Sequence, residues 1–302
     1  MKARVLPAIA ALLVLAACST PDAPTGPAPS DPSLSQNPND EIQNDPNVHV
    51  HLPRGHARPG GGGVQLLQYH GGAIMTSAAV KSIFWGSSWS NSSFVGDKIS
   101  GLGTFYSGVG GSNYMKTNTE YTGTNGTVGS AVSYGGPTTD LSDAPRGSPK
   151  VSAILAEVCK VIPNPVSNGF YPVYVDTPRG HAGYCAWHSY GSCSGVPVQI
   201  AFFFNLDGDR GCDPESPGST GHSQGLAALA NVSGHELSEA VTDPRNGGWW
   251  DASGAENADK CAWTFASQLV TFGGSSWKIQ GNWSNRAYAN SSGYDGSGCI
   301  SS

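Results

Sequence analysis

The chain has 302 residues, of which only 13% are charged and 41 are glycine. Its net charge of −6 leaves no basic surface of the kind that binds nucleic acid, so we expect no nucleic-acid partner. A hydrophobic content of 38% excludes global disorder, and the length fits one large domain or two small ones.

Residues 1–18 are typical of a bacterial lipoprotein signal. Lys2 and Arg4 precede an apolar run at residues 5–17 that is too short to span a bilayer, and Cys18 follows directly. We therefore predict cleavage before Cys18 and lipidation of Cys18, which would anchor the chain to the membrane on the extracytoplasmic side of the bacterial cell envelope. An ordinary cleaved signal followed by a chance cysteine is the alternative.

Residues 19–63 predict a disordered tether, because Pro, Ser, Asn and Asp dominate and little apolar surface is available to bury. His49, His51 and His56 lie near the end of this tether. We expect them to be solvated linker histidines rather than metal ligands. The folded domain is predicted to span residues 64–302.

The folded part predicts an α+β protein. Strands are predicted at residues 64–69, 80–85, 171–176 and 198–205, and the last is nearly all apolar, which favours the interior of a sheet. Helices are predicted at 94–109, from Ser148 onward, and at 223–242, where Asp243 precedes Pro244 and ends the helix. Residues 110–148 and the chain after Cys261 are expected to form turns and short strands.

Six cysteines follow Cys18, and an even number in an exported chain predicts up to three disulfides. The sequence alone does not choose among the possible pairings. Cys185 with Cys193 is the simplest local pair, because it closes a short loop.

Residues 231–263 carry the strongest chemical signal. His235 and Glu239 are four residues apart on the predicted helix, so both can bind one metal ion. Glu256 is the predicted third ligand, and Glu236 is the predicted general base, as in the HExxH pattern of metallopeptidases. Three further residues are predicted to orient these ligands or to replace one of them: Asp243, Asp259 and His188.

This pattern departs from HExxH, because Glu239 stands where the second histidine is expected. One imidazole with two carboxylates suits harder ions better than zinc, although zinc remains the predicted ion. An exposed helix with solvated carboxylates is the alternative to a metal site. Alternating oxygens at Asn205, Asp207 and Asp209 resemble a calcium loop, but an ordinary Asp- and Gly-rich turn is the favoured interpretation.

Several motifs resemble the phosphate-induced protein 1, or EXORDIUM-like, family. The motifs are Tyr69-His70-Gly71-Gly72-Ala73-Ile74-Met75, Ile83-Phe84-Trp85-Gly86, Gly183-Tyr184-Cys185-Ala186-Trp187-His188, and Thr242-Asp243-Pro244 with Gly248-Trp249-Trp250 and Cys261. They span about residues 69–300, the whole predicted folded part. The resemblance implies secretion and a shared fold. Plant members are linked to cell-wall growth without a settled enzymatic activity and typically lack a His-Glu pair at the position of His235-Glu236.

Together these patterns predict a zincin-like mixed sheet with an active-site helix and an irregular, disulfide-stapled C-terminal part. The predicted function is a lipid-anchored metal-dependent hydrolase, a zinc metallopeptidase that acts on extracellular protein or peptide as a monomer. The alternative is a non-catalytic EXORDIUM-like surface protein that binds polysaccharide or peptide. Its groove would be lined by tryptophans, although core packing is their more common use: Trp249, Trp250, Trp263, Trp277 and Trp283.

Overall fold

The computed structural model describes residues 41–56, 66–215, 220–296 and 298–302. The predicted signal, Cys18 and the first half of the predicted tether lie outside these ranges. Among the described residues, no helix is both long enough and apolar enough to cross a membrane.

A six-stranded mixed sheet forms the centre of the fold. The strands in chain order are β1 (His49–His51), β2 (Gln68–Tyr69), β3 (Ala78–Trp85), β4 (Thr122–Gly123), β5 (Gly126–Thr127), β6 (Val132–Asp140), β7 (Gly169–Pro178), β8 (Ala186–Cys193), β9 (Val196–Asn205), β10 (Trp249–Trp250), β11 (Val270–Phe272), β12 (Ser275–Trp277), β13 (Asn282–Trp283) and β14 (Cys299–Ile300). The sheet order is β1-β8-β9-β7-β3-β6. Strands β6, β3, β7 and β9 are parallel, whereas β8 and β1 add two antiparallel strands at one edge.

The helices are α1 (Glu41–Asn44), α2 (Ser92–Val95), α3 (Lys98–Val109), α4 (Asn113–Lys116), α5 (Val151–Val161), α6 (Gln224–Thr242) and α7 (Asn285–Ala289). The mixed α+β class is therefore confirmed. The helix at 94–109 begins later than predicted, at Lys98, because Gly96 adopts a φ of 50° and separates it from a short turn of helix. Strand β8 was not predicted, whereas β6 lies in the region where only short strands were expected and is nine residues long; it contains two glycines and a proline, which a strand at the edge of a sheet tolerates.

Helix α6, the central helix, is buried on every side from residue 225 to residue 242. It begins where the Ser223 hydroxyl accepts a hydrogen bond from Leu226 N at 3.2 Å, and it ends before Pro244. It packs against β7, β8 and β9 on one side and α3 on the other. A Cβ at Gly234 would lie 3.0 Å from the Tyr114 hydroxyl, so this glycine makes room for an aromatic ring.

The expected tether is wrong for residues 41–56, which are part of the folded domain. Strand β1 pairs with β8, and His49 lies opposite His188. Cys185 N donates to His51 O at 2.7 Å, and Trp263 Nε1 donates to Leu52 O at 2.8 Å. Alternate residues of a strand face the same side, so His49 and His51 are both buried, which corrects the expectation of solvated histidines.

Two of the five tryptophans proposed for a binding groove belong to the core. Trp277 and Trp283 are buried, whereas Trp249, Trp250 and Trp263 are partly exposed. A groove lined by all five tryptophans is therefore excluded.

Three disulfides link the six predicted cysteines: Cys159–Cys193, Cys185–Cys212 and Cys261–Cys299. The local pair Cys185–Cys193 is wrong, because β8 runs from Ala186 to Cys193 and separates the two cysteines by its full length. A strand rises about 3.3 Å per residue, whereas a disulfide needs Cα atoms within about 7 Å.

Replacing Cys185 and Cys212 together by alanine should lower the free energy of unfolding by about 2–5 kcal/mol, because the cross-link restricts the unfolded chain. Denaturant unfolding of the variant and the wild type measures the loss. Thiol titration of the denatured, non-reduced wild type should detect no free thiol from these six cysteines. Free thiols, or an unchanged unfolding midpoint, would contradict this pairing.

Candidate metal centre

Two of the predicted ligands meet on the central helix and are joined by a third residue from the following loop. His235 Nε2 lies 3.1 Å from Glu239 Oε1 and 3.7 Å from Asp259 Oδ1. Asp259 N also donates to Glu239 Oε1 at 2.9 Å. Two ligand atoms on one tetrahedral zinc ion are about 3.3 Å apart. These three residues, called the helix group below, are therefore spaced to hold one ion.

Glu256, the predicted third ligand, lies instead beside two histidines of the sheet. Its Oε2 is 2.9 Å from His49 Nδ1 and 3.6 Å from His188 Nε2. These three residues, called the strand group below, form a second set of closely spaced ligand atoms. The structure thus gives the helix group Asp259 as its third member and assigns Glu256 elsewhere.

Glu236 connects the two groups. Its Oε2 accepts a hydrogen bond from His188 Nδ1 at 3.0 Å, and Glu239 Oε2 lies 3.5 Å from the same nitrogen. Within the described residues, Glu236 Oε1 is buried and has no hydrogen-bond partner. The predicted general base is therefore held by one oxygen and presents the other to the interior of the cluster.

His51 stacks on His235, with ring centroids 3.8 Å apart and ring planes 12° apart. Ligand atoms of these two histidines and Glu236 lie within 4.8 Å of one another. An imidazole nitrogen binds a metal ion that lies in the plane of its ring. Two stacked rings with nearly parallel planes have no nearby point that lies in both planes. His51 therefore covers His235 in this arrangement and does not share an ion with it.

The cluster is closed to solvent. His235, Glu236, Glu239 and Glu256 are all 0% exposed, and His188 is 2% exposed. Strand β1 lies along the edge of the sheet beside the cluster, and its two histidines contact the rings of His188 and His235.

The buried histidines and glutamates shift one another's pKa values. Burial alone would lower the pKa of His188, but hydrogen bonds to Glu236 and Glu239 outweigh it and raise the pKa to about 10. Burial would also lower the pKa of His235, but the negative charge of Glu239 outweighs burial and raises this pKa to about 9. Burial raises the pKa of Glu236 to about 7, although the hydrogen bond from His188 acts in the opposite direction. At Glu239, the positive charges of His235 and His188 outweigh burial and lower the pKa.

Gln280 fixes the orientation of His235. Its Nε2 donates to His235 Nδ1 at 2.9 Å and to Ala258 O at 2.7 Å, and its Oε1 accepts from Trp263 N at 3.2 Å. The proton of a neutral His235 then lies on Nε2 and points to Glu239. An ion at Nε2 would replace that proton and leave Nδ1 protonated, so the Gln280 amide would have to turn its Oε1 toward Nδ1 and give up its hydrogen bonds to Ala258 O and Trp263 N.

The remaining predicted residues lie outside both groups. Asp243 accepts hydrogen bonds from Gly247 N at 2.7 Å and Gly248 N at 2.8 Å, so it shapes the loop after the central helix. The resemblance to a calcium loop does not hold, because Asp207 pairs with Lys98 at 2.5 Å and Asp209 pairs with Arg179 at 2.6 Å. Asn205 Oδ1 accepts from Asp207 N at 3.2 Å, as in an ordinary turn.

Sequence reasoning missed His49, His51 and Gln280 as members of the centre. The alternation His49-Val50-His51 was the available signal, since it places two imidazoles on one face of a strand. Gln280 carries no comparable signal, because only the fold brings it to His235.

Buried His and Glu groups of this chain could thus hold a metal ion, and its three disulfides indicate an extracytoplasmic protein. No protein-family model, curated protein or solved structure matches the chain. The resemblance to the phosphate-induced protein 1 family therefore rests on its motifs alone.

Proposed function

We propose that this protein is an extracytoplasmic metal-dependent hydrolase, a zinc metallopeptidase that acts on extracellular protein or peptide, with its ion in the helix group. One observation carries the proposal. His235 and Glu239 converge with Asp259 at ligand spacing. The residue after His235 on the helix, Glu236, keeps a buried carboxylate oxygen that has no hydrogen-bond partner in the described part of the chain. The HExxH pattern has the same relation between ligands and base, and the central helix would then correspond to the active-site helix of a zincin-like fold.

Each residue of the chain has a separate role in this proposal. The ion, when bound, supplies Lewis acidity toward an attacking water molecule and the scissile carbonyl. Glu236 takes a proton through Oε1, the oxygen that no group of the described residues hydrogen-bonds. His188 orients Glu236 by donating from Nδ1.

Because Glu236 is 0% exposed, a substrate reaches it only when part of the surrounding fold gives way. Strand β1 is three residues long and pairs with β8 alone, so it is the smallest part of the sheet that could do so. Displacing it would remove the His51 ring from His235 and expose the central helix.

The same burial favours a second candidate, a non-catalytic EXORDIUM-like surface protein whose metal ion stabilises the fold. Structural metal sites are closed, whereas catalytic sites keep an open position. Either protein would be anchored through a lipid on Cys18, for which the apolar run before Cys18 is the support.

Metal analysis of the purified full chain with a peptide-cleavage screen tests the proposal. After loading with zinc and removal of free metal, the wild type should carry stoichiometric zinc and cleave peptides. His235→Ala should lose the ion of the helix group and reduce cleavage to background. His70→Ala removes an exposed imidazole that lies on Trp250 and should change neither property.

Metal in the wild type without cleavage, even after residues 41–56 are deleted, would favour the non-catalytic candidate. Absence of stoichiometric metal would contradict the hydrolase and the metal-stabilised fold, and would leave a surface protein that binds polysaccharide or peptide.

A further inference from the structure

We propose that the strand group, His49, His188 and Glu256, binds a second divalent metal ion, with zinc as the preferred ion. This site lies in the same cluster as the proposed hydrolytic site and is linked to it through the hydrogen bond between His188 and Glu236, but it requires no catalytic activity. Its role is to fix the N-terminal strand β1 to the sheet.

His188 has the hydrogen bonding of a metal ligand. Its Nδ1 donates to Glu236 Oε2 at 3.0 Å, which leaves Nε2 as the other ring nitrogen. That Nε2 is buried and has no hydrogen-bond partner among the described residues, although Glu256 Oε2 lies 3.6 Å away. Metal-bound histidines almost always donate their second ring N–H to a carboxylate, carbonyl or water, and this fixes the ring and its basicity. His188 therefore presents Nε2 toward Glu256 in a defined orientation.

His49 and Glu256 complete a compact set of donors. His49 Nδ1 lies 2.9 Å from Glu256 Oε2, and the rings of His49 and His188 are stacked with centroids 5.0 Å and planes 14° apart, so the His49 ring must turn out of the stack before both imidazoles can bind one ion in their ring planes. The ligand atoms of all three residues lie within 4.8 Å of one another, and all three residues are buried. Two imidazoles and one carboxylate form a donor set that zinc accepts readily, in contrast to the single imidazole of the helix group.

One ion cannot serve both groups. The two nitrogens of His188 point in different directions, with Nδ1 toward Glu236 and Glu239 and Nε2 toward Glu256. The imidazole ring therefore lies between the helix group and the strand group. An ion bound by Nε2 of His188 is on the far side of that ring from Glu239.

Charge also favours two ions over one. Four carboxylates lie in the cluster: Glu236, Glu239, Glu256 and Asp259. Two divalent ions match four ionised carboxylates while the bound imidazoles stay neutral, as metal-bound imidazoles are. Burying carboxylates without such compensation is costly.

The second ion would join three separate parts of the chain. His49 lies on the edge strand β1, His188 on the neighbouring strand β8, and Glu256 in the loop after the central helix. Since β1 is only three residues long, its pairing with β8 is a weak attachment by itself. A bond from His49 to a shared ion would strengthen this attachment, and that bond would have to break before β1 could be displaced from the helix group.

Zinc stoichiometry of the full chain tests the inference. The metal-free protein is loaded with zinc, free metal is removed, and bound zinc is counted per chain by elemental analysis. We expect two ions in the wild type and one in His49→Ala. Glu256→Gln keeps the size of the side chain and should also bind one ion. His56→Ala, which changes a histidine of the same segment outside the group, should keep two.

The variants separate this inference from the proposed hydrolytic site. One ion in the wild type that His49→Ala retains and His235→Ala loses would overturn the second site and leave the proposed function standing. Two ions in both His49→Ala and Glu256→Gln would also overturn it. One ion that His49→Ala loses and His235→Ala keeps would support the strand group and contradict the helix group. No zinc in the wild type would overturn both.

Discussion

Glu236→Gln should lower kcat for peptide cleavage by about 10²–10⁴-fold, the usual contribution of a general base, while zinc content stays at the wild-type value. Glutamine has the same shape as glutamate, and its carbonyl oxygen still accepts the hydrogen bond that His188 Nδ1 donates at 3.0 Å. The amide cannot take a proton from water at neutral pH. Zinc content, kcat and KM of the variant and the wild type measure the two effects separately.

Glu157→Gln is the matched control for this substitution. Glu157 is also a buried glutamate, but it lies on α5 and bonds Lys160 at 3.1 Å. Helix α5 and the central helix lie on opposite faces of the sheet. On β8, Gly191 faces Leu155 of α5, whereas His188 faces Glu236 of the central helix. These two β8 residues are an odd number of positions apart, so they point to opposite faces. The control should retain wild-type kcat. Unchanged kcat in Glu236→Gln would contradict the role of Glu236 as base.

Removing metal with a chelator should lower the midpoint of thermal unfolding by about 5–10 °C. One ion whose free concentration is 100 times its dissociation constant stabilises the folded state by about 2.7 kcal/mol, and the shift follows from losing this stabilisation. The physical reason is the cluster of carboxylates at the centre of the fold, where Glu236, Glu239 and Glu256 are 0% exposed. Without an ion, these groups depend on imidazoles and backbone amides for compensation. Thermal unfolding with and without chelator measures the shift.

The shift should be smaller in His235→Ala, because that variant has already lost the ion of the helix group. Adding zinc back to the chelated wild type should restore the midpoint. A midpoint that chelation leaves unchanged would show that no bound ion contributes to stability under these conditions.

The sequence by itself determined the elements whose residues repeat at a regular spacing. The apolar run at 198–205 predicted an interior strand, which is β9. The pattern at 223–242, with Pro244 after it, predicted the central helix almost to the residue, because a helix and its termini are set by local backbone chemistry. The same local rule placed His235 and Glu239 close together, since residues four apart on a helix are neighbours.

Only the tertiary structure decided what surrounds that pair. Asp259 and Glu256 both lie more than ten residues after Glu239, so the intervening loop could place either of them beside the helix. In the fold, Asp259 lies beside His235 and Glu256 lies beside His49. Likewise, residues 41–56 have the composition of a tether, yet β1 pairs with β8 and buries His49 and His51. Composition reports how much apolar surface a segment offers by itself. It carries no information about a distant strand edge whose unpaired backbone groups can bind that segment.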